Sequence, residues 1–122
     1  MRPQFKGVFA GRHGPRRVPG TMNKTEARYA DYLEAQKLAG EIVDWQFEAM
    51  TFVLAKLCRL TPDFVVLHND GSLELVDTKG WQSTDDALVK TKCAAEKFYW
   101  FRWSHVKERS KRDGGGWERR EF

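Results

Sequence analysis

The sequence predicts an α/β domain, a central mixed β-sheet flanked by helices, in the order helix, three or four strands, helix, strand. Three observations predict it. Helical periodicity with a glycine stop occupies residues 24–39, and a second helical face follows Ser83-Thr84-Asp85-Asp86. Between them run short stretches dense in β-branched and aromatic residues, broken by turn signals. A last alternating stretch, residues 100–106, follows the second helix.

Taken in order, residues 1–22 are rich in Gly, Pro and Arg without periodicity, and read as a basic flexible arm. In the first helix Tyr29, Tyr32, Leu33 and Leu38 roughly share a face, and Gly40 ends it. Strands are expected over Ile42–Glu48 and Thr51–Leu57. A hairpin follows, Asp63–Leu67 and Leu73–Lys79, turned by Asn69-Asp70-Gly71. The second helix starts at a Ser/Thr cap with two Asp residues at its positive end, and Leu88, Thr91, Ala95 and Phe98 keep one face. The core is therefore placed at 23–106, and the charged, Gly-broken residues 107–122 read as a tail.

A chain of 122 residues suits one domain, and 41% hydrophobic residues, with five Trp and eight Phe, allow a packed core. No apolar run spans a bilayer and no signal-peptide pattern opens the sequence, so a soluble, cytoplasmic protein is expected. Cys58 and Cys93 lack a CxxC or a zinc-spaced His. Two reduced thiols are expected, with a disulfide the alternative. The charge is uneven. Residues 1–28 carry seven basic and one acidic side chain, residues 29–103 eight and twelve, and residues 104–122 six and four. A solvated tail accounts for basic arms, and so does a grip on a polyanion.

The stretch Thr61 to Trp81, TPDFVVLHNDGSLELVDTKGW, carries the chemistry. Side chains alternate along a strand, so Asp77 and Lys79 share a face with Leu73 and Leu75, and Asp63 shares one with Val65 and Leu67. Pairing Leu67 with Leu73 brings the apolar residues together and sets Val65 against Leu75. The same register faces Asp63 with Asp77, roughly 5 Å apart at Cβ. Facing carboxylates repel, and a divalent cation relieves the conflict. Hard oxygen donors without thiolate or imidazole point to Mg²⁺, with Mn²⁺ substituting. Lys79, one side-chain step beyond Asp77, is placed to orient a water or to balance charge on a phosphate. A surface hairpin with an exposed Asp–Lys pair is the plain alternative.

These residues resemble a family. TPDF…LELVDTKG is similar to the PD-(D/E)XK nuclease signature, and NKTEARYADYL resembles that superfamily's first helix. Residues 23–103 look like the small phage-encoded nucleases near the junction-resolving phage endonuclease I branch. The resemblance implies a restriction-endonuclease-like αβββαβ core and Mg²⁺-dependent hydrolysis of DNA phosphodiester bonds, selective for branched or junction DNA. It also implies a homodimer and a site of action in the host cell cytoplasm. It maps catalytic and metal-binding roles onto Glu26, Asp63 and Asp77, and a catalytic role onto Lys79.

Glu26 has a second reading, because Asn23-Lys24-Thr25-Glu26 is a capping-box pattern. Glu41, Glu48 and Glu74 are rival third carboxylates. Glu74 is the weakest, since it points away from Asp77, and Glu34 lies two turns further along the helix. Candidate DNA contacts are Arg12, Arg16, Arg17, Lys24, Gln82, Lys90 and Lys92, with the arginines suited to phosphate oxygens. Lys90, Lys92 and Lys97 equally suit a solvated helix face. Trp81, Trp100 and Trp103 read as core. His13, His68 and His105 fit no ligand spacing, and His68 reads as a turn residue. No organic cofactor or membrane partner is expected. Two other readings stand beside the nuclease: a non-catalytic nucleic-acid-binding module that keeps the fold, and a metal-free structural domain.

Overall fold

The computed structural model describes residues 20–79 and 85–122. Its elements in order are α1 (Lys24–Leu38), β1 (Ile42–Phe47), β2 (Phe52–Ala55), β3 (Cys58–Leu60), β4 (Phe64–His68) and β5 (Leu73–Lys79). These are followed by α2 (Asp85–Lys97), β6 (Arg102–Glu108), a 3-10 turn (Lys111–Asp113) and β7 (Trp117–Glu121). Five strands form one sheet in the order β1-β4-β5-β6-β7, and β2 pairs with β3 separately. All neighbours in the large sheet are antiparallel except β5 and β6. That parallel pair needs a crossover, and α2 supplies it.

Each face of the sheet has its own apolar layer. On one, Tyr29, Ala30 and Leu33 of α1 pack on Phe64, Val66, Val76 and Val106. Glu26, Tyr29, Ala30 and Leu33 are the buried face of α1, at the i, i+3, i+4, i+7 spacing of a helical stripe. On the other face, Ala94 of α2 meets Val65, Leu75 and Trp103. The small β2–β3 hairpin closes this side with Phe52, whose ring meets Phe98 and Trp103 edge-on at 5.0 and 4.9 Å.

The hairpin register is the one that apolar pairing dictates: Leu67 faces Leu73, and Val65 faces Leu75. Other expectations need correction. The strand expected over Thr51–Leu57 is shorter and turns back as β3, outside the main sheet. Leu38 is 80% exposed rather than part of the buried stripe, because nine residues of helix turn it to the side opposite Tyr29. The tail expected at 107–122 is instead ordered. Ser110 caps the 3-10 turn, and three successive left-handed glycines, Gly114 to Gly116, reverse the chain. β7 then adds a fifth strand along β6. Trp117 anchors it, its ring edge-on to Tyr29 at 4.8 Å. The arm expected over 1–22 lies outside the described residues except for its last three. There Met22 packs on the α1 core and the Gly20 amide donates to Glu48. Trp103 is core as expected, whereas Trp100 is 69% exposed. Trp81 lies outside the described residues. Cys58 and Cys93 are free thiols, and Cys93 is exposed.

Candidate active site

Asp63 follows the buried Pro62, whose ring fixes the chain's entry into β4. From there Asp63 and the end of β5 hold each other reciprocally. The Asp63 amide donates to Asp77 Oδ1 at 2.9 Å. In return Asp63 Oδ2 accepts from the Thr78 amide at 2.8 Å and from the Thr78 hydroxyl at 2.9 Å. The Asp63 carbonyl accepts from the Glu48 amide at 2.8 Å, with Glu48 in the left-handed region at φ 48°. Such a conformation costs about 1–2 kcal/mol for a non-glycine residue. Its place beside a paired carboxylate is where strain is commonly stored.

Asp77 is only 8% exposed. Burial, and then the facing Asp63 carboxylate, push its pKa up to about 6, against the pull of Lys79 and the Asp63 amide. Lys79 Nζ lies 3.7 Å from Asp77 Oδ2, a loose ion pair.

The parallel register of β5 and β6 brings in a residue that spacing did not reveal. His105 stands beside Asp77. Its Nε2 shares a 2.7 Å hydrogen bond with the Thr91 hydroxyl of α2, and its ring lies 4.7 Å from that of Phe122. Burial, with Lys79 and Arg120 nearby, lowers its pKa to about 4, so the imidazole is neutral at pH 7. No local motif signals this neighbour, because it depends on a crossover pairing 28 residues apart in sequence.

Glu26 sits at the same end of the sheet. Arg28, half a turn on, binds Glu108 at 2.8 Å, and Glu108 follows Lys107, the partner of Lys79. Yet α1 packs on the Val76 face, while Asp77 lies on the Leu75 face. Glu26 is 3% exposed, and its Oε1 accepts from the Asn23 amide at 2.9 Å while Asn23 Oδ1 accepts from its own amide. The residue expected as a third ligand is thus a capping-box residue here. Among the described residues no three His, Cys, Asp or Glu side chains are grouped to hold a metal.

Two carboxylates are thus clasped together, and burial first, then the facing Asp63, suppresses the charge of Asp77.

Glu74 points to the opposite face from Asp77, as expected, and is 1% exposed. It accepts from Ser104 and Arg119 and meets His68 Nε2 at 2.7 Å. His68 is therefore part of a buried polar cluster and not merely a turn residue.

Of the expected DNA contacts, Lys24 and Lys92 are exposed, while Lys90 Nζ reaches the Arg59 carbonyl at 3.4 Å. Lys97 is tied to the Val53 carbonyl at 3.1 Å. Arg12, Arg16, Arg17 and Gln82 lie outside the described residues.

Fold and site together define an α/β protein with a clasped carboxylate pair at the end of a mixed sheet. Residues 21–113 match the family described as protein of unknown function (DUF1064), and the chain belongs to that family. No curated protein and no solved structure matches it. Among the described residues no helix is long and apolar enough to cross a membrane.

Proposed function

We propose that the protein is a metal-dependent DNA endonuclease with a restriction-endonuclease-like core, resembling the PD-(D/E)XK nucleases. The observation that carries this reading is the Asp63–Asp77 clasp with Lys79 3.7 Å away. An element order of helix, three sheet strands, helix and parallel strand, apart from the small β2–β3 hairpin, supports it.

Asp63 and Asp77 would hold the Mg²⁺ or Mn²⁺. When bound, the ion supplies Lewis-acid polarisation of the phosphate and acidifies water. The Thr78 amide and hydroxyl fix the Asp63 carboxylate, and the Asp63 amide fixes that of Asp77, so neither reorganises as charge develops. Lys79 orients the nucleophilic water and offsets negative charge on the phosphoryl oxygens. His105, neutral and held by Thr91, walls the site without adding a competing charge. Glu26 holds the Asn23 amide through Oε1 and would join only by reaching across from the Val76 face.

Selectivity for branched or junction DNA, action as a homodimer, and a cytoplasmic place of action extend this reading from the resemblance. The test is cleavage of linear duplex, single-stranded, flap and four-way junction DNA with Mg²⁺, Mn²⁺ or EDTA. Cutting confined to junctions and abolished by EDTA is the expected outcome. No cutting of any substrate refutes the reading. Light scattering that shows a monomer with and without junction DNA removes the resolving role. One observation favours a second reading, a nucleic-acid binder that retains the fold: with Glu26 in the cap, only two carboxylates gather among the described residues. Tight DNA binding without cutting would select it.

A further inference from the structure

Beside Asp77 and Lys79 a cleft of about 240 Å³ opens across the ends of β5, β6 and β7 and the first turn of α2. Four basic residues line it, Lys79, Lys107, Arg119 and Arg120, against the acids Asp85 and Glu118. The sheet register orders them in two rows. Asp77 pairs with His105, and His105 with Arg120. One step on, Lys79 pairs with Lys107, and Lys107 with Glu118. Paired residues point to the same face, so Arg120 and Lys107 share the face of the carboxylate clasp. Neighbouring strands lie roughly 4.8 Å apart, which puts the Arg120 backbone about 10 Å from that of Asp77.

Most of these charges are already engaged. Arg119 turns to the opposite face and pairs with Glu74. Lys79 leans on Asp77, and Glu118 stands opposite Lys107. Asp85 lies in the first turn of α2, where the helix dipole favours its charge. Arg120 differs. Its guanidinium lies 5.1 Å over the Phe122 ring, which in turn packs on His105. Among the described residues no carboxylate pairs with it. An arginine held over an aromatic ring in the lining of a cleft is prepared for a phosphate.

The geometry points to this cleft as the seat of a backbone phosphate of the bound DNA strand, next to the scissile one, with Arg120 as its principal contact and Lys107 beside it. The assignment rests on the nuclease reading only for the identity of the polyanion. Arg120 is here a positioning residue: it fixes the strand so that the neighbouring phosphate meets Asp63 and Asp77.

The test is fluorescence anisotropy of labelled junction and duplex DNA with Asp77→Asn protein in EDTA, across a salt series. Arg120→Ala should weaken binding about 5- to 10-fold and reduce the slope of log affinity against log salt by about 1, the loss of one phosphate contact. Arg120→Lys should keep the slope, and Lys37→Ala, at the far end of α1, should leave affinity and slope unchanged. Should Arg120→Ala lose its cooperative melt, Arg120→Gln keeps the stem over Phe122 and gives the same reading. Affinity and slope in Arg120→Ala equal to the parent's, or an equal loss in Lys37→Ala, would overturn the assignment. Because binding is read without metal, the two readings fail separately. Cutting with an unchanged slope removes this assignment alone, and a lowered slope without cutting removes the nuclease alone.

Discussion

Glu74 and Asp77 stand three residues apart on one strand, both almost fully buried, on opposite faces of the sheet. Burial alone would raise both pKa values. At Glu74 the Ser104 hydroxyl, Arg119 and His68 outweigh it, and the carboxyl is held below its ordinary range. At Asp77 the facing Asp63 adds to it, while Lys79 and one amide do not compensate. Glu74 is a charge completed by protein. Asp77 is a charge left incomplete by protein, at a strand end and beside a second carboxylate. The difference separates a buried acid that serves the fold from one that the proposed function assigns to an external cation, and accessibility alone does not make that distinction.

The largest effect should come from breaking this comparison by mutation. Glu74→Ala removes the acceptor shared by Ser104, Arg119 and His68 and should cost about 1.5–3 kcal/mol in denaturant unfolding, the range for hydrogen bonds to a charged group. Asp77→Asn removes like-charge repulsion and should leave metal-free stability within about 1 kcal/mol or raise it. The same Asp77→Asn should lower metal-dependent cutting by at least about 100-fold, the upper end of losses seen even for residues that merely support metal ligands. Equal destabilisation by the two variants would erase the distinction.

A pH series sharpens it. The folded pKa of Asp77, about 6, exceeds its ordinary 3.8, so the folded state binds the extra proton between those values. Its contribution to stability therefore falls as pH rises through that window. Glu74 behaves oppositely. With its folded pKa below 4.5, its contribution is present above that value and lost as pH falls through the folded pKa. Thermal melts without metal should show a shallower fall between pH 4 and 6 in Asp77→Asn. Saturating Mg²⁺ should raise Tm more at pH 7.5 than at pH 5, since it binds the ionised pair. A rise of equal size at both pH values would contradict that coupling.

The smallest stability effect belongs to Glu26→Gln, because Gln also serves a capping box. It should shift unfolding by less than about 0.5 kcal/mol. Its cutting activity then sorts the two roles. A loss of tenfold or more identifies a ligand that leaves its cap when metal binds, and unchanged cutting identifies a cap only.

Much of the site was legible because it is local. Pairing Leu67 with Leu73 fixes every face of the β4–β5 hairpin, and the opposition of Asp63 and Asp77 follows from it. The Asn23–Glu26 box was likewise written in four residues, although its pattern does not say whether Glu26 has a second task. What stayed hidden is non-local. His105 reaches Asp77 only through the α2 crossover. β7, Trp117–Glu121, is charged at four of its five positions and follows three glycines, so its composition matches a tail. It is an edge strand, where charge blunts further pairing, and its order comes from Trp117 on Tyr29 and Arg119 on Glu74. Trp100 misled in the other direction. Its size suggested core, but the turn between α2 and β6 carries it outward, its ring tilted against that of Tyr99 at 5.5 Å.

The central claim, that the clasped carboxylates form a divalent-cation site, is tested most directly by Mn²⁺ binding to the purified protein at pH 7.5, read by electron paramagnetic resonance. The account predicts that the wild-type chain binds Mn²⁺, that Asp63→Asn and Asp77→Asn each lose it, and that a Glu74→Gln chain that still folds retains it. Undiminished binding in Asp77→Asn, or no binding by the wild type at millimolar Mn²⁺, would contradict it.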